Sequence, residues 1–225
     1  MTWPELHSWW TRELEGDPAY ETVVTPLLFD VLDVAPENLY LDLGCGEGRL
    51  MRRLGAEGAR VVGVDIAESL ALLAADEGPV IVAELPSLGF LIDSVVDAAY
   101  CVLVLEHLAE EERFFAETAR VVRSSGTLSL VINHPSWTAP DSTPITDDDG
   151  EVLWRPGEYF SRGSSQISAG EGASITFHHR SMAQLLNAAS HAGWCLVKMV
   201  EQPHHDLEDQ SGIPRLLACQ WRLLP

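Results

Sequence analysis

The chain has 225 residues, 46% of them hydrophobic, and its 34 Asp and Glu residues against 14 Lys and Arg give a formal net charge of −20 at pH 7. This length has room for one packed α/β domain, so we expect residues 1–225 to form a single domain. A negative field of that size opposes binding to phosphate backbones and anionic lipid, which disfavours nucleic-acid and membrane partners.

The cysteine positions and the absence of long apolar runs limit the class of protein further. Cys45, Cys101, Cys195 and Cys219 are widely separated and form no C-x-x-C pair, which argues against a structural zinc site and a disulfide framework. Residues 1–14 lack the pattern of a signal peptide, and no apolar run approaches the ~20 residues that span a bilayer. We therefore expect a cytoplasmic protein.

The N-terminal segment, residues 1–36, is predicted to be helical. Apolar residues recur at helical spacing over 6–14 and again over 20–32. Helices that precede a parallel sheet often lie over its carboxyl edge, so Tyr20 is a candidate substrate-binding residue. Core packing is the simpler explanation for Trp9–Trp10.

Residues 39–65 predict a strand, a glycine-rich turn, a helix and a second strand. The first apolar run stops at Gly44, Gly46 and Gly48, and the second ends in Asp65. Glycines let a ligand approach the backbone of the turn, which opens onto a helix N-terminus. A carboxylate at the tip of the second strand can accept hydrogen bonds from ribose hydroxyls. The stretch therefore predicts an adenosine-type ligand on a parallel sheet.

The glycine spacing distinguishes between two kinds of ligand. The dinucleotide fingerprint is G-x-G-x-x-G, whereas this chain has G-x-G-x-G with Asp42 two residues before the first glycine. An acidic side chain there would repel a pyrophosphate but could accept a hydrogen bond from an ammonium group, directly or through water. A nicotinamide-dependent oxidoreductase is therefore disfavoured and stays open as the weaker alternative. The helix after the glycines carries Arg49, Arg52 and Arg53, which could offset the negative charge near one site but which we expect to form a solvated face.

Strands and helices continue to alternate through residues 37–132, the predicted cofactor-binding core. Alternation without hairpin signals predicts a parallel sheet with helices on both faces, and right-handed crossovers place the carboxyl ends of the strands at one edge. The further helices are predicted at Ala67–Ala75 and Glu110–Arg123, and the further strands at Val80–Ala83, Val95–Leu103 and Thr127–Ile132.

The pattern breaks over residues 133–177, which are rich in Pro, Gly, Ser, Thr and acids. A structureless loop of that length is unusual inside a compact domain, so we expect a lid or substrate insert. Residues 178–225 then predict a helix over Ser181–Ala192, with a serine cap and a closing glycine, and two strands. The candidate substrate-binding residues here are Trp137, Trp154, Tyr159, Phe160 and His179.

The D-x-G-x-G-x-G motif, Asp42–Gly48, resembles the first motif of class I S-adenosylmethionine-dependent methyltransferases. The stretch Asp93–Leu108, which ends in E-H-L, resembles the fourth-strand region of that family. Val121–Gly126 resembles the turn before the fifth strand, with Ser124 and Ser125 in place of the usual Pro and Gly. Four further stretches resemble a mainly bacterial subgroup that acts on small molecules: Asn133–Pro135, Trp154–Phe160, His179–Ser181 and Glu201–Pro203.

The resemblance implies a Rossmann-like, doubly wound, mostly parallel seven-stranded sheet with N-terminal helices and a lid insert after strand five. It implies transfer of a methyl group from S-adenosylmethionine to a small-molecule acceptor by O-, N- or C-methylation, leaving S-adenosylhomocysteine. A non-catalytic S-adenosylmethionine-binding protein is the alternative. Ile81 stands where the family often has an acid that holds adenine, so backbone groups near Ala83, or Glu84, must do so. The candidate cofactor-binding residues are Asp42, Gly44, Cys45, Gly46, Gly48, Asp65, Ile66, Ala83, Glu84, Leu85 and Cys101.

Methylation of a hydroxyl or a protonated amine also requires that a proton be removed. Histidine suits that role because its ordinary pKa is near neutrality. His107 and His134 follow the fourth and fifth strands and are the catalytic candidates, with His134 slightly favoured because it joins the sheet to the insert. No metal is expected, because His178–His179 and His204–Asp206 lack helical ligand spacing. The expected partner is a small-molecule acceptor, and the chain is expected to be a monomer or a homodimer.

Overall fold

The computed structural model describes residues 18–168, 174–203 and 210–225. The expectations for Trp9–Trp10 and for His204–Asp206 lie outside the described residues. None of the helices within the described ranges is long and apolar enough to cross a membrane.

The described elements alternate as the sequence predicts up to β5. The helical elements are a π-helical turn at Tyr20–Val24 that runs into α1 (Thr25–Val31), then α2 (Arg49–Ala56), α3 (Glu68–Ala74), a 3₁₀ turn at Leu105–His107, α4 (Glu111–Val121), α5 (Pro135–Thr138) and α6 (Met182–His191). The strands are β1 (Leu39–Leu43), β2 (Arg60–Asp65), β3 (Val80–Val82), β4 (Val96–Val102), β5 (Val122–Asn133), β6 (Thr143–Thr146), β7 (Val152–Arg155), β8 (Ser164–Ser168), β9 (Ser174–His178), β10 (Trp194–Pro203) and β11 (Pro214–Leu223).

A seven-stranded sheet runs in the order β10-β11-β5-β4-β1-β2-β3. Neighbours from β3 to β5 pair in parallel, and β11 is antiparallel to both β5 and β10. The predicted doubly wound, mostly parallel seven-stranded sheet is therefore confirmed. Strand β2 lies next to β1 on one side, and β4, which follows later in the chain, lies next to β1 on the other side. The connections diverge between β1 and β4, and such a switch point opens a crevice at the carboxyl edge.

Apolar layers cover both faces of the sheet. Leu41 and Leu43 of β1 face a layer with α4 and α6 that includes Phe115 and Trp221. Tyr40 faces the opposite layer, which α1 and α2 cover. Alternate residues of a strand point to opposite faces, so Asp42 lies on the same side as Tyr40. This alternation puts a carboxyl group inside the core, directly before the glycine turn.

Strand β5 begins earlier than the sequence predicts. The pairing register jumps from Val96–Val122 to Ala98–Thr127, so the first residues of β5 form an irregular bulge. Ser125 has φ +65°, a left-handed conformation that favours glycine. This conformation explains why the family resemblance has glycine where this chain has serine.

The insert after β5 contains regular structure that the sequence pattern did not reveal. Strands β6 and β7 form one antiparallel hairpin, and β8 and β9 form another, each a separate two-stranded sheet. Strand β9 packs against the 3₁₀ turn Leu105–His107. The insert therefore reaches the carboxyl edge of the sheet, and its closure as a lid remains a prediction.

Helix α6 begins as the sequence predicts. Ser181 is its N-cap: the Ser181 hydroxyl accepts from the Gln184 N–H at 3.4 Å, and the Gln184 side chain accepts from the Ser181 N–H at 2.8 Å. This reciprocal pair is a capping box. Gly193, at φ +89°, follows the helix and closes it.

Candidate active site

The three glycines of the β1–α2 turn all have positive φ, between +54° and +87°. A Cβ at Gly44 would lie 2.4 Å from Val104, and one at Gly48 would lie 2.8 Å from the backbone of Ala74. A Cβ at Gly46 would meet nothing within 4 Å. Gly44 and Gly48 therefore allow close packing of the turn, whereas Gly46 exposes backbone to open space.

Asp65, at the end of β2, anchors this turn. Its Oδ2 accepts from the Gly46 N–H and its Oδ1 accepts from the Ala67 N–H, each at 2.8 Å. Burial raises the pKa of Asp65, and the backbone hydrogen bonds oppose that rise. Each carboxylate oxygen can accept a second hydrogen bond. The side chain therefore holds the turn in place and can still bind a ribose.

Asp42 lies buried beneath the turn. The Tyr100 hydroxyl donates to Asp42 Oδ2 at 2.9 Å. Burial raises the pKa of Asp42 to about 8, and the negative charge of Asp65 adds to the rise while the Tyr100 hydrogen bond opposes it. A carboxyl group in this position favours a cation in the space above it.

A cleft of about 180 Å³ opens at the carboxyl ends of β1 to β4. The predicted cofactor-binding residues that line it are Gly44, Cys45, Gly46, Asp65, Ile66, Ala83, Glu84 and Leu85. Asp42, Gly48 and Cys101 do not line it. Cys101 is fully buried in the layer that contains α4 and α6, because the alternation along β4 turns its side chain away from the cleft.

His107 lines the cleft opposite the glycine turn. Its Nδ1 lies 3.0 Å from the carbonyl oxygen of Thr176. A carbonyl only accepts, so Nδ1 carries the hydrogen and the lone pair of the neutral imidazole is on Nε2. The ring of Phe177 contacts the imidazole edge to face, with centroids 4.7 Å apart. Strand β9 therefore sets both the tautomer and the orientation of His107.

Arg180 holds the turn that carries His107. Its guanidinium is buried and donates to the carbonyl oxygen of Leu105 at 2.9 Å and to that of Leu108. Glu111 lies 3.6 Å from the same guanidinium. Burial lowers the pKa of Arg180, and the charge of Glu111 opposes that shift. The two carbonyls lie on either side of His107, so Arg180 fixes the backbone from which the imidazole projects.

His134 has a different environment and does not line the cleft. Its Nε2 lies 2.8 Å from Glu201 Oε1, and its Nδ1 accepts from the Ser136 N–H at 3.0 Å. The residue is the N-cap of α5. Burial lowers the pKa of His134, and the bond to Glu201 opposes the shift. Both ring nitrogens thus have partners within the protein, which indicates a structural role.

Comparison with known proteins identifies the family. The family described as "Methyltransferase domain" matches residues 41–130. A ubiquinone biosynthesis O-methyltransferase from Hahella chejuensis is 33% identical in an alignment 132 residues long, which covers 54% of this chain and 55% of that protein. The chain therefore spans about half the length of this curated relative.

Two solved structures share the fold. An S-adenosylmethionine-dependent methyltransferase from Mesorhizobium loti aligns with a TM-score of 0.79 and 24% identity, over 93% of this chain and 99% of that chain. A protein titled a putative S-adenosylmethionine-dependent methyltransferase, from Listeria monocytogenes, aligns with a TM-score of 0.79 and 20% identity, over 88% and 96% of the two chains. Residues 41–130 belong to the class I S-adenosylmethionine-dependent methyltransferases. The family and fold predicted from the glycine motif are confirmed.

The cleft of this methyltransferase domain fits the cofactor that the family implies. The open space above Gly46 admits a ligand against the backbone, and Asp65 keeps acceptor capacity for ribose hydroxyls. Asp42 favours a positive group nearby. At the adenine end, the Ala83 N–H already donates to the Asp65 carbonyl at 2.9 Å, which leaves Glu84 as the better-placed polar group. Ile81 does not line the cleft.

The predicted substrate-binding aromatic residues of the insert, all of which the structure describes, do not line the cleft. Trp137 and Trp154 stack with ring centroids 4.6 Å apart, and Arg215 lies 4.4 Å from the centre of the Trp137 ring. The side chain of Phe160 is exposed. His179 is buried and bonds to the Tyr159 carbonyl at 2.8 Å. The structure describes all six predicted substrate-binding residues, and only Tyr20 among them lines the cleft.

Sequence reasoning missed Arg49 as a residue of this site. Arg49 lines the cleft, and only a fifth of its side chain is exposed, so its assignment to a solvated helix face is wrong. Its guanidinium lies 4.7 Å from the centre of the Tyr20 ring, and its Nε donates to Glu47 at 2.8 Å. The available signal was its place as the first residue of the helix after the glycines. The other missed lining residues are Glu47, Leu50, Ala67, Leu70, Val102, Leu103, Val104 and Leu108.

Proposed function

We propose that the chain transfers a methyl group from S-adenosylmethionine to the hydroxyl oxygen of a small apolar acceptor, and that His107 removes the hydroxyl proton. One observation carries the proposal: a single cleft contains the open backbone at Gly46, the ribose-binding carboxylate of Asp65 and the imidazole of His107. The relative described as an O-methyltransferase supports oxygen as the acceptor atom.

Each residue of the cleft has a separate task in this reaction. The bound cofactor supplies a methyl group on a positively charged sulfur, so the protein needs to position an acceptor and take up its proton. His107 takes the proton at Nε2, because Nδ1 is committed to the Thr176 carbonyl. Leu103, Val104 and Leu108 line the same side of the cleft and exclude water from it.

Calorimetry with S-adenosylhomocysteine and, separately, with reduced nicotinamide cofactors tests the binding half of the proposal. We expect binding of the former alone. Asp65→Ala should weaken it by about 10-fold or more, because a hydrogen bond to a charged group is worth about 1.5–3 kcal/mol. Asp93→Ala is the control, since the Asp93 side chain is mostly exposed and outside the cleft. Failure to bind S-adenosylhomocysteine would overturn the proposal.

Turnover over a panel of phenols, alcohols and amines tests the catalytic half. Methyl transfer to oxygen in a phenolic acceptor is the expected result, since the cleft lining beside His107 is apolar. Transfer to amines alone would show that the acceptor atom is nitrogen and not oxygen. Binding of S-adenosylhomocysteine without turnover over the whole panel would favour the non-catalytic alternative.

The setting of this activity is part of the proposal. The 225 residues would act as one domain in the cytoplasm, as a monomer or a homodimer, on a small molecule rather than on nucleic acid or membrane. The high net negative charge supports a neutral or cationic small-molecule partner. Trp137, Trp154, Tyr159, Phe160 and His179 would contribute to the acceptor site by shaping the insert.

A further inference from the structure

The turn that carries His107 begins beside a strained residue. Leu103 leads from β4 towards the 3₁₀ turn Leu105–His107, and its φ of +56° lies in the left-handed region. A residue with a side chain is disfavoured in this conformation and persists there only where surrounding contacts hold it. The turn is only three residues long, so few hydrogen bonds of its own stabilise it. The position of His107 therefore depends on contacts from outside the turn.

Glu106, the residue before His107, ties this turn to the end of β5. Its side chain is buried, and its Oε1 accepts from the Asn133 backbone N–H at 3.1 Å and from Asn133 Nδ2 at 2.6 Å. The other oxygen, Oε2, is buried and has no hydrogen-bond partner in the part of the chain that the structure describes. Burial of a carboxylate with one unpaired oxygen lowers stability. A gain in stability therefore does not account for an acid at this position.

Arg215 fixes the orientation of the Asn133 side chain. A guanidinium only donates and an ionised carboxylate only accepts, so the amide oxygen of Asn133 must face Arg215 while its NH₂ faces Glu106. The Arg215 guanidinium donates to Asn133 Oδ1 in this way. It also lies over the ring of Trp137, which stacks on Trp154. A path of direct contacts thus runs from the aromatic residues of the insert to the turn that carries the proposed base.

We propose that Glu106 and Asn133 are positioning residues, which hold the strained turn so that the His107 imidazole faces the acceptor. The proposal rests on the proposed function, in which His107 takes the acceptor's proton. Arg180 holds the same turn from the segment before α6, so the turn is held from two sides. Removal of the Glu106 carboxylate frees the turn to relax towards an ordinary backbone conformation. The imidazole then leaves its working position, while the groups that bind the cofactor stay in place.

Kinetics of substitutions at Glu106 test the proposal. Glu106→Ala removes both contacts to Asn133, so kcat should fall by about 100-fold, as for a small displacement of a reacting group, while S-adenosylhomocysteine affinity and the acceptor KM change by less than about threefold. Glu106→Gln keeps an oxygen that can accept from Asn133 and should recover most of kcat. Because the base is unchanged, the acidic limb of the pH–kcat profile should stay at the same pH in both variants.

Ser129→Ala is the matched control for the loss of a buried hydrogen bond. Ser129 is buried on the same strand as Asn133, and its hydroxyl donates to the Val31 carbonyl at 2.7 Å, away from the cleft. Its kcat should equal that of the unmodified protein. Asn133→Ala is a milder test of the clasp, because it removes the Nδ2 donor and keeps the backbone N–H. It should lower kcat by less than Glu106→Ala.

Nitrogen NMR of protein labelled at its histidines tests the imidazole position without turnover. In mildly alkaline buffer the unmodified protein should carry the His107 hydrogen on Nδ1, where the Thr176 carbonyl accepts it. The loss of signals in His107→Asn assigns them to this residue. Glu106→Ala should show a mixture of the two tautomers, and Glu106→Gln should show the original one.

The outcomes separate this inference from the proposed function. Unchanged kcat and an unchanged tautomer in Glu106→Ala would overturn the inference while the proposed function stands. If that variant does not fold, the same two results in Asn133→Ala would overturn it. Equal kcat losses in Glu106→Ala and Glu106→Gln would assign the proton transfer to Glu106 itself and also overturn it. If the unmodified protein methylates no acceptor of the panel, the proposed function fails, and the tautomer of His107 in Glu106→Ala alone decides the inference.

Discussion

The cofactor-binding half, residues 41–130, and the insert, residues 133–177, reach the same cleft by different means. The first contributes parallel strands buried on both faces and a turn whose glycines lie against fixed neighbours. The second contributes short strands, exposed in β6 and half-buried in β9, and it contacts His107 of the cleft through the carbonyl of Thr176 and the ring of Phe177. The family match covers the first half alone. The glycine turn therefore depends on backbone geometry, whereas the orientation of His107 depends on contacts between distant segments.

The largest expected effect separates the two histidines. His107→Asn should lower kcat by about 10²–10⁴-fold with S-adenosylhomocysteine affinity unchanged, because it removes the proton acceptor beside the cleft. His134→Asn should leave kcat within a few-fold, since asparagine can also cap a helix and His134 does not line the cleft. Kinetics with the best acceptor from the panel, together with calorimetry, measure both. A kcat loss in His134→Asn equal to that in His107→Asn, with unchanged stability, would contradict this assignment.

The next largest effect tests what holds the turn that carries His107. Arg180→Met should reduce the free energy of unfolding by about 3–5 kcal/mol, because it leaves the buried Glu111 charge without its buried partner and strips two backbone carbonyls of a donor. Arg162→Met is the control: Arg162 also pairs with Glu111 but its side chain is 59% exposed, so its loss should stay within about 1 kcal/mol. Urea unfolding measures both. Similar values for the two variants would show that Arg180 does not hold the turn.

The two halves also differ in how far the sequence predicts them. The apolar runs that end at Gly44 and Asp65 predicted β1 and β2 because strands buried on both faces need such runs, and the required positive φ selects glycine. No periodic signal marks β6, whose residues are all exposed. The contact that orients His107, with the carbonyl of Thr176, joins residues 69 positions apart. A single sequence shows residue types at such positions but not their pairing, so it does not reveal that His107 lines the cleft and that His134 does not.

A third prediction separates packing from binding within the glycine turn. Gly48→Ala should cost about 2–4 kcal/mol of stability, because its Cβ would lie 2.8 Å from the Ala74 backbone at a φ of +85°. Gly46→Ala adds a Cβ that meets no protein atom within 4 Å, so its stability loss should be about 1 kcal/mol or less. Gly46→Ala should instead weaken S-adenosylhomocysteine binding. Urea unfolding and calorimetry of both variants give the comparison, and equal stability losses would contradict it.

The last prediction concerns the buried carboxyl group beneath the turn. In the folded protein the pKa of Asp42 is raised to about 8 from an ordinary value of 3.8, and burial is the main cause. Between these two values the folded state keeps a proton that the unfolded state releases. The free energy of unfolding should therefore fall as pH rises from about 4 to about 8, by at most about 1.4 kcal/mol per pH unit from this one site.

Asp42→Asn removes that dependence, and the difference between the two proteins isolates it from all other titrating groups. Below pH 4 the two should have similar stability, and near pH 8 the asparagine variant should be the more stable.

The affinity of the unmodified protein for its ligand should change with pH in the direction opposite to its stability. A cationic ligand group above the turn favours ionised Asp42, so S-adenosylhomocysteine affinity should rise with pH up to about 8 in the unmodified protein and lose this rise in the variant. Parallel stability curves across this pH range would show that Asp42 has the same pKa folded and unfolded, and the turn would then owe its cation preference to another group.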